Sequence, residues 1–168
     1  MKISFTKFLL FVMFVAQTLV AGPLDQKMQK QQLESLLKAA VPFGEQMLKN
    51  HGEFFPYGAT MGIDEKITCV GGYTGDERQK SDEVIKLLKD SYRREGAAGK
   101  IMACALVFDV RIIPPGQSEK TDAIQVNLDH RDGMSVTMFY PYRIGSDKQV
   151  TFSQPFAQKG NEEIFPKK

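Results

Sequence analysis

The chain has 168 residues, 42% hydrophobic and 25% charged, with 22 basic and 20 acidic side chains, two histidines and two cysteines. That length supports one hydrophobic core and hardly two. The charge is too balanced, and too evenly spread, for a nucleic-acid binder, which needs clustered Lys and Arg to neutralise several phosphates.

Residues 1–21 have the three parts of a secretory signal: Lys2 and Lys7 in a basic start, an apolar run from Phe8 to Ala16, and a small-residue exit at Leu19-Val20-Ala21. The uncharged stretch is about 14 residues, short of the roughly 20 that a spanning helix needs, so no stable membrane span is expected. The reading is therefore an exported chain of bacterial type, periplasmic or secreted. Loss of the signal removes two lysines and no acids, which leaves 20 residues of each sign.

Residues 22–32 are polar and read as a flexible lead, with one α+β domain over 33–168. Leu33, Leu36, Leu37, Ala40, Met47 and Leu48 recur at helical spacing, with a kink or break expected near Val41 because Pro42 and Gly44 follow. Gly52 reads as the left-handed residue that closes this helix. Phe54–Met61 and Glu65–Tyr73 are predicted strands joined as a hairpin through Gly62-Ile63-Asp64. Ser81 reads as the N-cap of a second helix, with Val84, Leu87, Leu88 and Ser91 or Tyr92 as its buried stripe and Gly96 or Gly99 at its end.

The rest alternates. Met102, Cys104, Leu106 and Phe108 fall on one face of a long strand and Ala103, Ala105, Val107, Asp109 and Arg111 on the other. Pro114-Pro115-Gly116 stops it. Strands over Ala123–His130 and Met134–Tyr142 meet at Arg131-Asp132-Gly133, where Asp-Gly is a strong hairpin signal. Val150–Phe156 is a last short strand or arm, and Phe165 docks the tail. The order α-β-β-α-β-β-β suits a single antiparallel sheet of about five strands with two helices segregated to one face. By analogy it is profilin-like or roadblock-like, an arrangement that puts the second and third strands at opposite edges. Cys69 and Cys104 would then be unable to bond, and both sit in apolar runs that read as buried.

The segments His51-Gly52-Glu53-Phe54-Phe55-Pro56-Tyr57-Gly58-Ala59, Pro114-Pro115-Gly116, Leu128-Asp129-His130-Arg131-Asp132-Gly133 and Pro141-Tyr142-Arg143 resemble a family of small uncharacterised bacterial proteins. The likeness runs from about Leu33 to Phe165. It implies a shared fold and no assigned activity; it also implies a cytoplasmic address, from which the amino-terminal signal departs.

No nucleophile elbow, Walker loop, zincin helix or dinucleotide fingerprint occurs, and no tight spacing specifies zinc. No catalytic set, cofactor or metal is expected. The candidate ligand- or partner-binding residues are His51, Phe54, Phe55, Tyr57, Arg111, His130 and Arg131. His51 could be a base or ligand exposed where the first helix hands over to a strand, and Phe54, Phe55 and Tyr57 could floor a cleft. Arg111 and Arg131 with Arg143 could clamp an anion, and His130 and Arg131 belong to the densest polar knot. Each has an ordinary structural explanation: helix capping for His51, packing for the aromatics, cross-strand ion pairs for Arg111 and its neighbours. The expected function is an exported, non-enzymatic interaction module for a protein partner, inhibitor- or immunity-like by analogy, working through an open sheet edge or the Phe54–Gly58 segment. The alternative is a small hydrolase or ligand-binding enzyme using His130, Asp129, Asp109 and His51. A homodimer through a sheet edge is a third possibility.

Overall fold

The computed structural model describes residues 23–76 and 79–165. The export signal read at residues 1–21 lies outside them. The elements in chain order are α1 (Pro23–His51), β1 (Tyr57–Gly62), β2 (Ile67–Gly71), α2 (Ser81–Ala97), β3 (Ile101–Ile112), β4 (Thr121–His130), β5 (Ser135–Ile144), β6 (Val150–Phe152) and β7 (Phe156–Lys159). Among the described residues the strands form one antiparallel sheet in the order β2-β1-β3-β4-β5-β6, with β7 also on β5. The α+β class and the single antiparallel sheet agree with the pattern of alternating residues.

Two features of the layout differ from expectation. The third strand lies beside the first, in mid-sheet, and not at the edge opposite β2. Because β1 is antiparallel to both β2 and β3, those two run in the same direction, and α2 is the crossover that carries the chain past β1. Such a crossover needs only one strand's width, and the β3-β4-β5 hairpins then extend the sheet away from it.

The helices divide between the two faces. Leu33, Leu36, Ala40 and Leu48 of α1 pack with Ala59, Ala105, Val107, Ile124, Val126 and Leu128 on one face. On the opposite face, Val84, Leu88 and Tyr92 of α2 pack with Cys104, Leu106 and Ile164. This follows from β3 itself. Every residue from Ile101 to Val107 is buried, so both of its faces need a cover, and one helix supplies each.

The stretch read as a flexible lead is, from Pro23 on, the first turns of α1. It is held because Gln29 is buried and Gln32 reaches two partners, Glu65 at 2.8 Å and His130 at 2.9 Å. The helix passes through Pro42 without a break and ends as expected. Gly52 (φ 77°) donates its N–H to the Leu48 carbonyl at 2.9 Å.

In α2, Ser81 is the first helical residue and not the cap; Lys80 holds the extended N-cap position with no side-chain capping bond. The buried stripe is Val84, Leu88 and Tyr92, while Leu87 is exposed. Gly99 (φ 69°) closes the helix, and Gly96 stays inside it, with the Phe165 ring against the position a β-carbon would take.

Candidate functional site

A sheet has two edges, and this one guards them unequally. On the far side β6 and β7 share β5; they are three and four residues long, Pro155 separates them, and Lys159 ends the second. Shortness, proline and lysine are the ordinary ways of preventing edge-to-edge pairing. On the near side β2 reads Ile67-Thr68-Cys69-Val70-Gly71, with neither charge nor proline. Among the described residues no strand pairs with its outer side.

Ladder geometry fixes which backbone groups of β2 point outward. Gly62 donates to the Lys66 carbonyl at 2.9 Å, and that pair continues the β1–β2 register. Hydrogen-bonded pairs alternate in an antiparallel ladder, so Thr68 and Val70 bond to β1, and Ile67, Cys69 and Gly71 direct their N–H and C=O groups away from the sheet. Three residues therefore offer donors and acceptors to an incoming strand. Their side chains share the α1 face, but α1 covers mainly β1, β3 and β4, and Cys69 is exposed. This corrects the expectation of two buried thiols.

Cys104, by contrast, is buried under α2, and burial raises its thiol far above the ordinary range. Cys69 lies opposite Ala59 and Cys104 opposite Thr60, so the thiols are on different faces with β1 between them. No disulfide joins them, although the strand order that would have kept them at opposite edges is not the one observed.

The aromatic segment before β1 is core and not a cleft. Tyr57 is buried, and its hydroxyl donates to the Ala40 carbonyl and accepts from the Gly44 N–H, both at 2.8 Å. The phenol thus stands inside the α1 hydrogen-bond ladder, in the turn loosened by the missing N–H of Pro42. Its burial pushes the hydroxyl well above the usual phenol range. Phe54 and Phe43 meet the same ring edge-on, at centroid separations of 5.8 and 4.8 Å. Gly58 serves the other face: a β-carbon there would lie 2.2 Å from the Tyr92 hydroxyl and 2.1 Å from the Ala105 carbonyl. Of the candidate residues in this segment, Phe55 and His51 are the exposed ones.

The polar knot at the end of β4 splits across the sheet. His130 is buried on the α1 face, its Nε2 at 2.9 Å from Gln32 Oε1 while its Nδ1 accepts the Asp132 N–H at 3.2 Å. That arrangement places the single proton on Nε2, and burial holds the imidazole below its ordinary pKa. Asp129 faces the α2 side, takes the hydroxyl of Ser135, and accepts the backbone N–H groups of Glu163 (3.2 Å) and Ile164 (3.3 Å). It is a latch for the carboxyl-terminal segment.

The structure therefore separates the residues read as one site. His51 lies nineteen residues along α1 from the Gln32 that holds His130, roughly 28 Å at 1.5 Å per residue. Asp109 accepts from the Tyr142 hydroxyl at 2.9 Å, and burial raises its carboxyl. Arg111 is exposed and pairs across strands with Asp122 at 3.9 Å, and Arg131 is exposed beside Asp132 at 3.9 Å. Of the seven candidate residues, Phe54 and Tyr57 meet one another and His130 stands next to Arg131 in sequence; no common pocket gathers them.

The cleft on the α2 face is lined by Lys89, Gln125, Asn127, Asp129, Thr137 and Glu163, among others, and encloses about 40 Å³. That volume suits a few waters, far below the several hundred Å³ of a small-molecule site. Among the described residues, no group of three or more His, Cys, Asp or Glu is placed to hold a metal ion, and no helix is long and apolar enough to cross a membrane. No family model, no curated protein and no solved structure matches the chain.

Proposed function

We propose that this chain is an exported, non-enzymatic interaction module that takes an extended segment of a protein partner along the outer side of β2. The observation that carries the reading is the outward row of backbone donors and acceptors at Ile67, Cys69 and Gly71, on a strand with no charge or proline to repel a neighbour. Strand addition draws its affinity from main-chain hydrogen bonds and its selectivity from the alternate side chains, so it needs no cavity. The dispersal of His51, Asp109, Asp129 and His130 favours this reading over a hydrolase, whose groups must reach one substrate.

Cys69→Pro is the discriminating substitution. Its own N–H points away from β1, so proline removes an edge donor without breaking the existing ladder. In affinity capture from an extract of the export compartment, a stoichiometric protein species is expected on the wild-type bait and not on C69P. Equal capture by both baits, or none by either from a wild-type bait that is itself monomeric, refutes the edge as the binding element.

A further inference from the structure

We propose that the strand seated on β2 is the β2 of a second copy, in a two-fold antiparallel pairing centred on Cys69. The inference rests on the reading of β2 as the binding element and names its occupant. Under a two-fold axis perpendicular to the sheet, one residue stands opposite itself, and every position before it faces the position equally far after it. Cys69 is the midpoint of Ile67–Gly71, so an axis there pairs all five residues, and any other symmetric register pairs fewer.

The resulting pairs match. Ile67 falls opposite Gly71, where open space awaits a side chain: a β-carbon built on Gly71 meets nothing within 4 Å. Thr68 falls opposite Val70, a pair of β-branched residues on the α2 face. No charge opposes a like charge, since β2 has none and Lys66 falls opposite Gly72. Ile67, Cys69 and Gly71 all direct backbone groups outward, so each of their three cross-copy pairs exchanges two hydrogen bonds.

The ends of the strand add a second, independent argument. Ile63 in the β1–β2 turn is 61% exposed and Tyr73 just after β2 is 66% exposed, the two most exposed large apolar side chains among the described residues. They flank β2 at opposite ends. The two-fold operation brings Tyr73 of each copy alongside the turn that carries Ile63 of the other, so one pairing covers both at both ends. A partner lacking this arrangement would leave them in water.

The axis also places the two exposed Cys69 residues as direct neighbours, at the roughly 5.5 Å α-carbon separation of a hydrogen-bonded antiparallel pair. This supplies a readout without being needed for assembly. Sedimentation of the purified chain at micromolar concentration is expected to give twice the monomer mass, and a short bis-maleimide is expected to yield a covalent dimer. Cys69→Ser keeps the doubled mass and loses the cross-link. Cys69→Pro sediments as monomer with unchanged circular dichroism; should it misfold, Thr68→Glu, which sets an exposed carboxylate against Val70 of the other copy, is expected to do the same.

A monomeric wild type, or a dimer that survives both edge substitutions, overturns the proposal. A monomeric wild type whose bait still captures a protein that C69P does not would overturn the second copy alone and leave the function proposed for the edge standing.

Discussion

Replacing Tyr57 by phenylalanine removes one oxygen atom and tests how α1 tolerates its proline. The hydroxyl joins Ala40 and Gly44, which in a regular helix would bond to each other directly, and it does so in a buried site. Two net hydrogen bonds at roughly 0.5–1.5 kcal/mol each, with a donor and an acceptor left without partners, give an expected loss of about 2 kcal/mol. At this chain size that corresponds to about 4–8 °C in Tm.

The assay is urea unfolding of wild type, Y57F, P42A and the double variant. Restoring the N–H at position 42 lets the turn close, so Ala40 and Gly44 can bond again. The cost of Y57F is then expected to fall by about 1 kcal/mol or more in the P42A background, a coupling that a double-mutant cycle reads directly. A cost of Y57F under about 0.5 kcal/mol, or the same cost in both backgrounds, would show that the phenol does not bridge the ladder.

Other predictions follow from the same geometry. Gly58→Ala sets a β-carbon about 2 Å from the Ala105 carbonyl and the Tyr92 hydroxyl, and is expected to cost more than about 3 kcal/mol, seen as loss of soluble yield or of cooperative unfolding. Asp129→Ala leaves the N–H groups of Glu163 and Ile164 without acceptors; limited proteolysis is expected to clip near residues 160–165 in the variant and spare the wild type. In the native chain an aromatic disulfide reagent is expected to titrate Cys69 rapidly and Cys104 only after denaturation, and two fast thiols would contradict the burial of Cys104.

The His130 imidazole is held below its ordinary value of 6.5 by burial, so the unfolded chain binds the proton more readily than the folded one. Stability from this group is complete above that value and is lost as pH falls through the window beneath it. The wild-type loss between pH 7 and 5 is expected to exceed that of H130Q, and parallel profiles would refute the assignment. The Lys89–Glu163 pair does not confuse the comparison. Its lysine holds the Glu163 carboxyl below the usual carboxylate range, so that pair fails at lower pH.

Alternation alone placed residues on the correct faces of β3, β4 and β5, because a period of two leaves no freedom once one face is apolar. The double burial of Ile101–Val107 was visible there too, in small residues on the side that α1 later covers. Gly52, Gly99 and Gly133, all at positive φ, could be read as chain-reversing positions from their neighbours. The edge at β2 left a fainter trace, a strand ending in Gly71-Gly72 with polar neighbours, and strand order gives it meaning.

The groupings needed three dimensions. Asp129 and His130 are adjacent in the chain, and the pleat sends one to the tail and the other to α1. The oxygen that completes α1 comes from Tyr57, on a different element, so local propensity could only foresee a break at Pro42. Residues 23–32 lacked the apolar stripe of a helix, and it is the docking of Gln29 and Gln32 that fixes them. Local pattern specifies which residues turn inward, since that choice depends on spacing along one strand or helix. Which strand lies at an edge, and which thiol meets solvent, depends on how the crossover by α2 orders the sheet, a contest between whole elements that no single segment encodes.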